Sequence, residues 1–393
     1  MFFSWRRPEM RSSRLIFLLC VTAILAGIPV TSSADRHSVI PPEDLSRSVV
    51  SIFVYDWRGH FLREGTGFFV NDAGEVVTCR HLLEEGSLAE VVTVEGEILI
   101  IEKVFSEDTE TDLIRIGLDF PPEKPSCIRG TSSLPAQGAR VTVAGDKSLA
   151  TVSAVRMVPV YGSLMRIQGV EPLSGAGSPV FNENGELVGI VMFQLYGRKN
   201  VAWAMPASKS ASVMASKSQP VTHHEWSETQ VGSWFETNTS SYLVGLAHYW
   251  EGEYLAALEF LNRVTDDERY NKVAFFLIGC CNEALKRYQE SESAYSMAVL
   301  FSPHSHRAHL QLAKSHFENG NIAASLKVCW KSIRLKSNDP EAFLLLNRVY
   351  KAMGQEQQAE VVHYIYLNLS RRMQPARQGR QMALNDPLEI VYK

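Results

Sequence analysis

The first half of the sequence contains a histidine, an aspartate and a serine-containing loop, the residue types needed for nucleophilic catalysis. His81 follows the strand-like run 76–79, Asp112 comes 31 residues later, and residues 172–182 read PLSGAGSPVFN. A histidine with a pKa near neutral takes the proton of a serine hydroxyl, and a carboxylate fixes the imidazole tautomer and stabilises its charged form. One histidine and one aspartate mean little by themselves, so the elements that position them must be identified first.

The region from about residue 49 to residue 204 has the pattern of an all-β domain. Short apolar runs at 49–54, 67–70, 141–144 and 187–191 are separated by turn residues. The sequence NDAG at 71–74 predicts a hairpin turn between two of these runs. Many short strands at close spacing predict an antiparallel barrel or sandwich, and we expect this first domain to cover residues 40–207.

Five segments of this domain resemble, in the correct order, the trypsin-like serine peptidases of the Deg/Htr type. Residues 65–70 (GTGFFV) and 76–83 (VVTCRHLL) are similar to the glycine-containing strand and the histidine strand of that family. Residues 111–116 (TDLIRI) resemble its aspartate segment, and residues 182–190 and 201–206 resemble its last hairpin and closing strand. The resemblance implies a chymotrypsin-like double barrel.

The resemblance also implies that His81 and Asp112 are the catalytic base and its carboxylate, but it assigns an alanine to the nucleophile. Aligning residues 177–179 with the Gly-Gly/Ser-Pro end of the family motif places Ala176 where the serine stands. A methyl group cannot attack a carbonyl, and loss of the serine costs about six orders of magnitude in related catalysts. Peptidase activity is therefore doubtful.

Residues 174–176 would form the oxyanion loop in this alignment, with the backbone N–H groups of Ser174 and Ala176 as donors and Gly175 between them. The family usually has glycine at the position of Ser174, so this is a second departure. Ser174 is also the alternative nucleophile, although it would need a loop two residues longer before the proline. Ser178 directly precedes the proline, at a position where family members carry a serine that they do not use.

The second half of the sequence predicts an all-α repeat array at residues 237–373. Three series of mostly small residues recur with a period of 34: the series that start at Gly245 and Ala257 predict close helix crossings, and the series that starts at Gly252 predicts the turn between helices. This pattern resembles the tetratricopeptide repeat, with about four units that start near 238, 272, 306 and 340. Each helical hairpin needs neighbours to bury its apolar face, so the units are expected to stack as a solenoid.

Three further segments are predicted from composition. Residues 208–236 are rich in serine, lysine and threonine and are interpreted as a linker with, at most, a terminal helix of the first domain at its start. Residues 374–393 form a tail of unknown structure. Residues 1–34 have the arginine, apolar and small-residue order of a signal peptide, with an uncleaved membrane anchor as the alternative.

The composition excludes several classes of function. Formal net charge is −4 with no strongly basic run, which argues against a nucleic-acid partner. Of six cysteines one lies inside the signal segment, and the remaining five, an odd number with two adjacent, do not predict a disulfide framework. The absence of a Cys-x-x-Cys pair leaves a zinc site without support. The adjacent histidines His223 and His224 are interpreted as a solvated part of the linker and not as metal ligands. No cofactor is expected.

Three functional hypotheses follow, and the predicted location is a bacterial envelope or a secretory route. The first is a catalytically inactive peptidase homologue that binds polypeptide partners through its repeats and its cleft, as a scaffold or sensor. The second is an active serine endopeptidase that uses Ser174. A third possibility leaves all function to the repeats and treats the barrel as a stabilising appendage.

Overall fold

The structure is a computed structural model that describes residues 42–378. The gaps within this range are residues 124, 129–133, 137, 146–148, 153, 159–163, 170–174, 196–200, 217–218 and 231. The predicted signal segment and most of the predicted tail therefore lie outside the described residues, as does Ser174.

The first sheet closes on itself as a six-stranded antiparallel barrel. Its strands are β1 (Val49–Tyr55), β2 (Phe61–Phe69), β3 (Val76–Cys79), β4 (Leu88–Val92), β5 (Ile98–Asp108) and β6 (Leu113–Leu118). They pair in the order β5-β4-β1-β2-β3-β6, and β6 returns to pair with β5. Apolar side chains from β1, β3, β4, β5 and β6 fill the interior, which explains the alternation of buried positions along β4.

The second sheet has seven described strands and packs beside the first. These strands are β7 (Val141–Ala144), β8 (Leu149–Val152), β9 (Ala154–Val158), β10 (Leu164–Gln168), β11 (Pro179–Phe181), β12 (Leu187–Phe193) and β13 (Val201–Pro206). Their order is β8-β7-β11-β12-β13-β10-β9. A shared apolar cluster that includes Phe68, Val77, Phe181 and Ile190 joins the two sheets. The all-β part of the fold prediction is confirmed.

The structure describes twelve α-helices. Four accompany the β-domain: α1 (Pro42–Arg47), α2 (Arg80–Leu83), α3 (Ala211–Ala215) and α4 (His223–Thr229). Eight follow it: α5 (Asn238–Trp250), α6 (Tyr254–Asn262), α7 (Asn271–Ala284), α8 (Tyr288–Phe301), α9 (His306–Glu318), α10 (Ile322–Leu335), α11 (Pro340–Ala352) and α12 (Glu356–Gln378). None of the helices in the described part of the chain is both long and apolar enough to cross a membrane.

The eight C-terminal helices pack as four consecutive hairpins, which confirms the helical repeat array. The second helix of each hairpin begins 34 residues after the previous one, at 254, 288, 322 and 356. Small residues lie where the two helices of a hairpin cross: a Cβ atom added to Gly279 would lie 2.5 Å from the ring of Tyr295. At the same crossing the Ser291 hydroxyl donates to the Gly279 carbonyl at 3.1 Å. The last helix continues to Gln378, five residues into the predicted tail.

The segment 208–236, predicted as a linker, folds onto the β-domain instead. It contains α3, a short strand β14 (Val221–Thr222) that pairs with β5, and α4. Trp226 of α4 is buried in the core of the first barrel, and Trp234 is buried in a cluster that contains both second-sheet and α5 residues. A capping box between Thr222 and Glu225 begins α4. Packing of the two tryptophans outweighs the polar composition that favoured a linker.

Candidate active site

The strand pairing of the first barrel brings the predicted histidine and aspartate together. β3 pairs with β6 so that Cys79 lies opposite Leu113. The one-turn helix α2 follows β3 directly and carries His81, while Asp112 immediately precedes β6. The two residues therefore leave neighbouring strands at the same end of the barrel.

Asp112 holds His81 at two points. One carboxylate oxygen accepts the backbone N–H of His81 at 3.0 Å, and the other forms a hydrogen bond with Nδ1 of its ring. Asp112 is fully buried and has a φ of 57°, a left-handed conformation that aspartate tolerates better than most residues. Its carbonyl accepts the Arg80 N–H at 2.8 Å. This arrangement can fix the imidazole tautomer, as the base of a catalytic triad requires; the catalytic roles themselves stay a prediction.

The loop that carries Ala176 is held between β2 and β12. The Ala176 carbonyl accepts the N–H of Thr66 at 2.8 Å, and the N–H of Gly177 donates to the carbonyl of Val191 at 2.8 Å. Gly177 has a φ of 92°, and a Cβ atom there would lie 1.8 Å from the Thr66 carbonyl oxygen. Only glycine fits this position. The described part of the oxyanion loop, Gly175 and Ala176, carries no hydroxyl that a base could activate.

Ser178, the remaining described serine of the loop, is bonded within its own turn. It is fully buried, and its Oγ donates to the carbonyl of Gly175 at 2.8 Å. The same carbonyl accepts the backbone N–H of Ser178 at 3.2 Å. This hydroxyl closes the turn; that Ser178 is not the nucleophile stays a prediction from its sequence position.

A buried thiol lies beside the histidine–aspartate pair. Ligand atoms of Cys79, His81 and Asp112 all lie within 4.8 Å of one another, which is short enough to suggest a metal site. However, His81 and Asp112 are bonded to each other, and the Cys79 Sγ donates to the Val191 carbonyl at 3.3 Å. Burial, followed by the charge of Asp112, raises the pKa of the Cys79 thiol well above its usual range, so the thiolate needed for metal binding is disfavoured. We interpret Cys79 as a packed thiol.

Residues 232–237, which we call the strap, cover the histidine. The ring of Trp234 stacks on His81 with centroids 5.4 Å apart, and the ring of Phe235 meets it edge-on at 5.0 Å. His81 is left only 7% exposed, and Trp234 only 1%. Sequence reasoning missed this contact. The available signal was a Trp-Phe pair at the end of a segment that otherwise reads as polar.

A charged cluster beneath the strap anchors it to the histidine helix. Arg80, next to His81, forms ion pairs with Glu84 and Glu107 and donates to the side chain of Gln230. Glu84 also accepts the backbone N–H of Trp234 at 2.8 Å. Trp226 donates its indole N–H to Glu107 at 3.0 Å. The strap and the histidine helix thus share one hydrogen-bonded network.

Comparison with known proteins identifies the β-domain. Residues 65–190 match the family model of the trypsin-like peptidase domain. A probable periplasmic serine endoprotease, DegP-like, from Rhizobium meliloti is 27% identical over 169 residues, which cover 39% of this chain and 33% of the relative. The anti-sigma-I factor RsgI9 of Acetivibrio thermocellus is 25% identical over 171 residues, 42% of this chain and 24% of the relative. The chain therefore spans a third or less of these relatives' length.

Solved structures with similarity to this chain include two proteases. The Rv3671c protease of M. tuberculosis in its active form aligns with a TM-score of 0.37 at 19% identity, over 46% of this chain and 86% of that one. The serine endoprotease of Yersinia pestis aligns with a TM-score of 0.37 at 17% identity, over 44% of this chain and 64% of that one. The similarity to known proteins is thus to the trypsin-like peptidase domain over residues 65–190, and to DegP-like relatives over about two fifths of this chain.

Proposed function

We propose that this protein is an exported peptidase homologue without peptidase activity, which uses its barrel and its helical repeats to bind other polypeptides. The observation that carries the proposal is the methyl group of Ala176 in a loop whose backbone bonds to β2 and β12 are in place. A histidine held by a carboxylate has no described hydroxyl to activate there. These features support a domain that keeps the fold of a peptidase and has given up the group that would perform the chemistry.

The helical array supplies a surface suited to polypeptides. A groove of about 320 Å³ opens along α5, α7 and α9, the first helices of three consecutive hairpins, with the start of α6 at its edge. Its lining is amphipathic, with aromatic, cationic and anionic side chains: Tyr249, Tyr254, Cys280, Glu283, Ala284, Arg307, Gln311 and Lys314. Lys314 pairs with Glu283 across the groove. The 34-residue period supports its assignment to the tetratricopeptide repeat class, whose stacked hairpins present such grooves.

Export is supported by the order of residues in the N-terminal segment and by the relatives described as periplasmic. We infer that the protein works in an envelope or secretory compartment, where a scaffold or sensor would meet unfolded or extended polypeptides. The five cysteines among the described residues form no disulfide with one another.

The first experiment tests the absence of activity. The wild-type protein is treated with a fluorophosphonate probe and with unfolded casein, beside an active Deg-type peptidase as a positive control. We expect no labelling and no hydrolysis of casein. Labelling at Ser174, or hydrolysis that disappears on His81→Ala, would instead establish the endopeptidase hypothesis.

The second experiment tests polypeptide binding by the groove. Fluorescently labelled, unfolded casein, which is acidic, is titrated with the protein and its anisotropy is measured. Arg307→Glu on α9 is expected to weaken binding about fivefold or more, since reversal of a charge at a binding surface costs of order 1 kcal/mol or more. Arg334→Glu, on the exposed side of α10, is the matched control and should bind as the wild type does. Equal affinities for all three proteins would exclude the groove.

A further inference from the structure

The strap covers His81 at the end of the first barrel, where a peptidase-like domain would have its substrate cleft. We propose that residues 232–237 are an intramolecular ligand of this cleft: Trp234 fills the space beside His81, and another polypeptide reaches His81 only after the strap is released. The inference builds on the proposed function only in assuming that the cleft accepts polypeptide. It adds a means by which access to that cleft is controlled.

Trp234 contacts residues carried by the first barrel and by the second sheet. On one side its ring stacks on His81, which α2 carries at the end of the first barrel. On the other side it meets Phe193, the last residue of β12 in the second sheet, with centroids 6.4 Å apart. Two residues before Phe193, the carbonyl of Val191 holds the N–H of Gly177 in the Ala176 loop. The end of β12 therefore borders the same cleft as His81, and Trp234 is wedged into it.

The strap is built to stay in place. Gly232, with a φ of 76°, turns the chain into a single turn of 3-10 helix over Trp234–Glu236. Ser233 accepts the N–H of Phe235, and the Thr237 hydroxyl donates to the Trp234 carbonyl at 2.7 Å. Together with the bond from the Trp234 N–H to Glu84, these contacts fix the tryptophan relative to the histidine helix.

The strap is also continuous with the helical array. Thr237 is the N-cap of α5, so only two residues separate Trp234 from the cap of the first repeat helix. Trp234 shares one apolar cluster with Tyr242, Leu243 and Leu246 of α5. Because the connection has almost no slack, displacement of α5 must move Trp234. A polypeptide that binds the array and shifts α5 would thereby open the cleft.

The test measures access to His81 directly and requires no restored enzyme. Diethyl pyrocarbonate, which acylates unprotonated imidazole, is applied at neutral pH, and acylation of each histidine is followed by peptide mass spectrometry. His224, with a side chain 77% exposed, serves as the internal reference. In the wild type we expect His81 to react at least about tenfold more slowly than His224, because reaction requires local opening of the strap.

The variant Trp234→Ala/Phe235→Ala should bring the rate at His81 to within about threefold of the reference, since the local opening is no longer needed. The matched control is Trp57→Ala/Phe61→Ala, which removes one tryptophan and one phenylalanine that are 75% and 55% exposed on the same domain. The control should leave His81 as protected as in the wild type. A single Phe235→Ala variant, which truncates a side chain 44% exposed, should give an intermediate rate if the double variant does not fold.

Two results would overturn the proposal. One is a wild-type His81 that reacts as fast as His224. The other is a folded double variant, judged by circular dichroism and a cooperative melt, in which His81 stays as slow as in the wild type. Neither result depends on casein binding, so failure of the strap and failure of the proposed function can be told apart.

Discussion

The ion pair between Arg80 and Glu84 allows a sharp test of how the strap is anchored. Both side chains are buried, with 11% and 2% of their surfaces exposed. Replacing Arg80 by methionine keeps much of the side-chain volume but leaves the Glu84 carboxylate buried without its cation. Loss of one partner of a buried pair costs about 3–5 kcal/mol, because the remaining charge has lost both water and its counter-ion.

The double variant Arg80→Met/Glu84→Gln distinguishes the cost of the unpaired Glu84 charge from the cost of losing the other contacts of Arg80. Glutamine can still accept the Trp234 N–H, and the fully buried charge at position 84 is gone; Glu107 also loses Arg80, but its side chain is 34% exposed and can be solvated. We therefore expect the double variant to be more stable than Arg80→Met alone, with a coupling free energy of about 1–3 kcal/mol. Unfolding in urea, followed by tryptophan fluorescence, measures these values, because Trp226 and Trp234 both lie in this network.

The control is an ion pair with the same i,i+4 spacing on a surface helix. Glu259 and Arg263 lie 2.8 Å apart on α6 and its C-cap, with 65% and 47% of their side chains exposed. Arg263→Met should cost less than about 1 kcal/mol, since water screens an exposed pair. Equal effects at the two arginines, or a double variant destabilised by the sum of its two single changes, would refute the assignment of Arg80 as a buried clamp.

Three further predictions concern packing and pH. Ser325→Ala should lower the free energy of unfolding by about 1 kcal/mol, because the buried hydroxyl donates to a carbonyl of the paired helix at 2.7 Å; the exposed change Ser293→Ala should stay within about 0.5 kcal/mol, and urea denaturation compares them. Gly279→Ala should lower the melting temperature, since a Cβ atom 2.5 Å from the Tyr295 ring costs about 1–3 kcal/mol against a gain of about 1 kcal/mol in helix propensity; an unchanged or higher melting temperature would contradict this. Burial, followed by the charge of the adjacent His224, lowers the pKa of His223. The unfolded state therefore binds the proton first, and the free energy of unfolding falls as the pH drops below about 6.5. Urea midpoints at pH 7.5 and pH 5 should differ less for His223→Phe than for the wild type.

The strands and the repeat array could be predicted because their signals are local or periodic. The apolar runs at 141–144 and 187–191 became β7 and part of β12, since side chains on these strands are buried by the adjacent sheet and loops. The 34-residue period was visible because each crossing of two helices demands a small residue, as Gly279 shows against Tyr295. Close packing at the helix crossings therefore appears in the sequence as a periodic series of mostly small residues.

The composition of the site could also be anticipated, although its accessibility could not. The order of segments placed His81, Asp112 and Ala176 in one motif, and the structure brings the first two into hydrogen-bonding contact. Because residue 176 is alanine, no hydroxyl is present at that position of the motif. The role of Ser174 can be judged only from the sequence, because the described residues begin again at Gly175.

The sequence by itself determined the two fold classes and the histidine–aspartate pair, and it predicts that alanine stands at the nucleophile position. Only the tertiary structure decided that the histidine is covered. Arg80 meets Gln230 across 150 positions of the chain, and Trp234 is buried among residues of the second sheet, of α5 and the His81 ring on α2. The composition of residues 208–236 alone predicts a linker. Burial of Trp226 and Trp234 depends on partners that are distant in sequence, so composition cannot reveal it. The fold supplies those partners, and it thereby converts an apparent linker into the strap over His81.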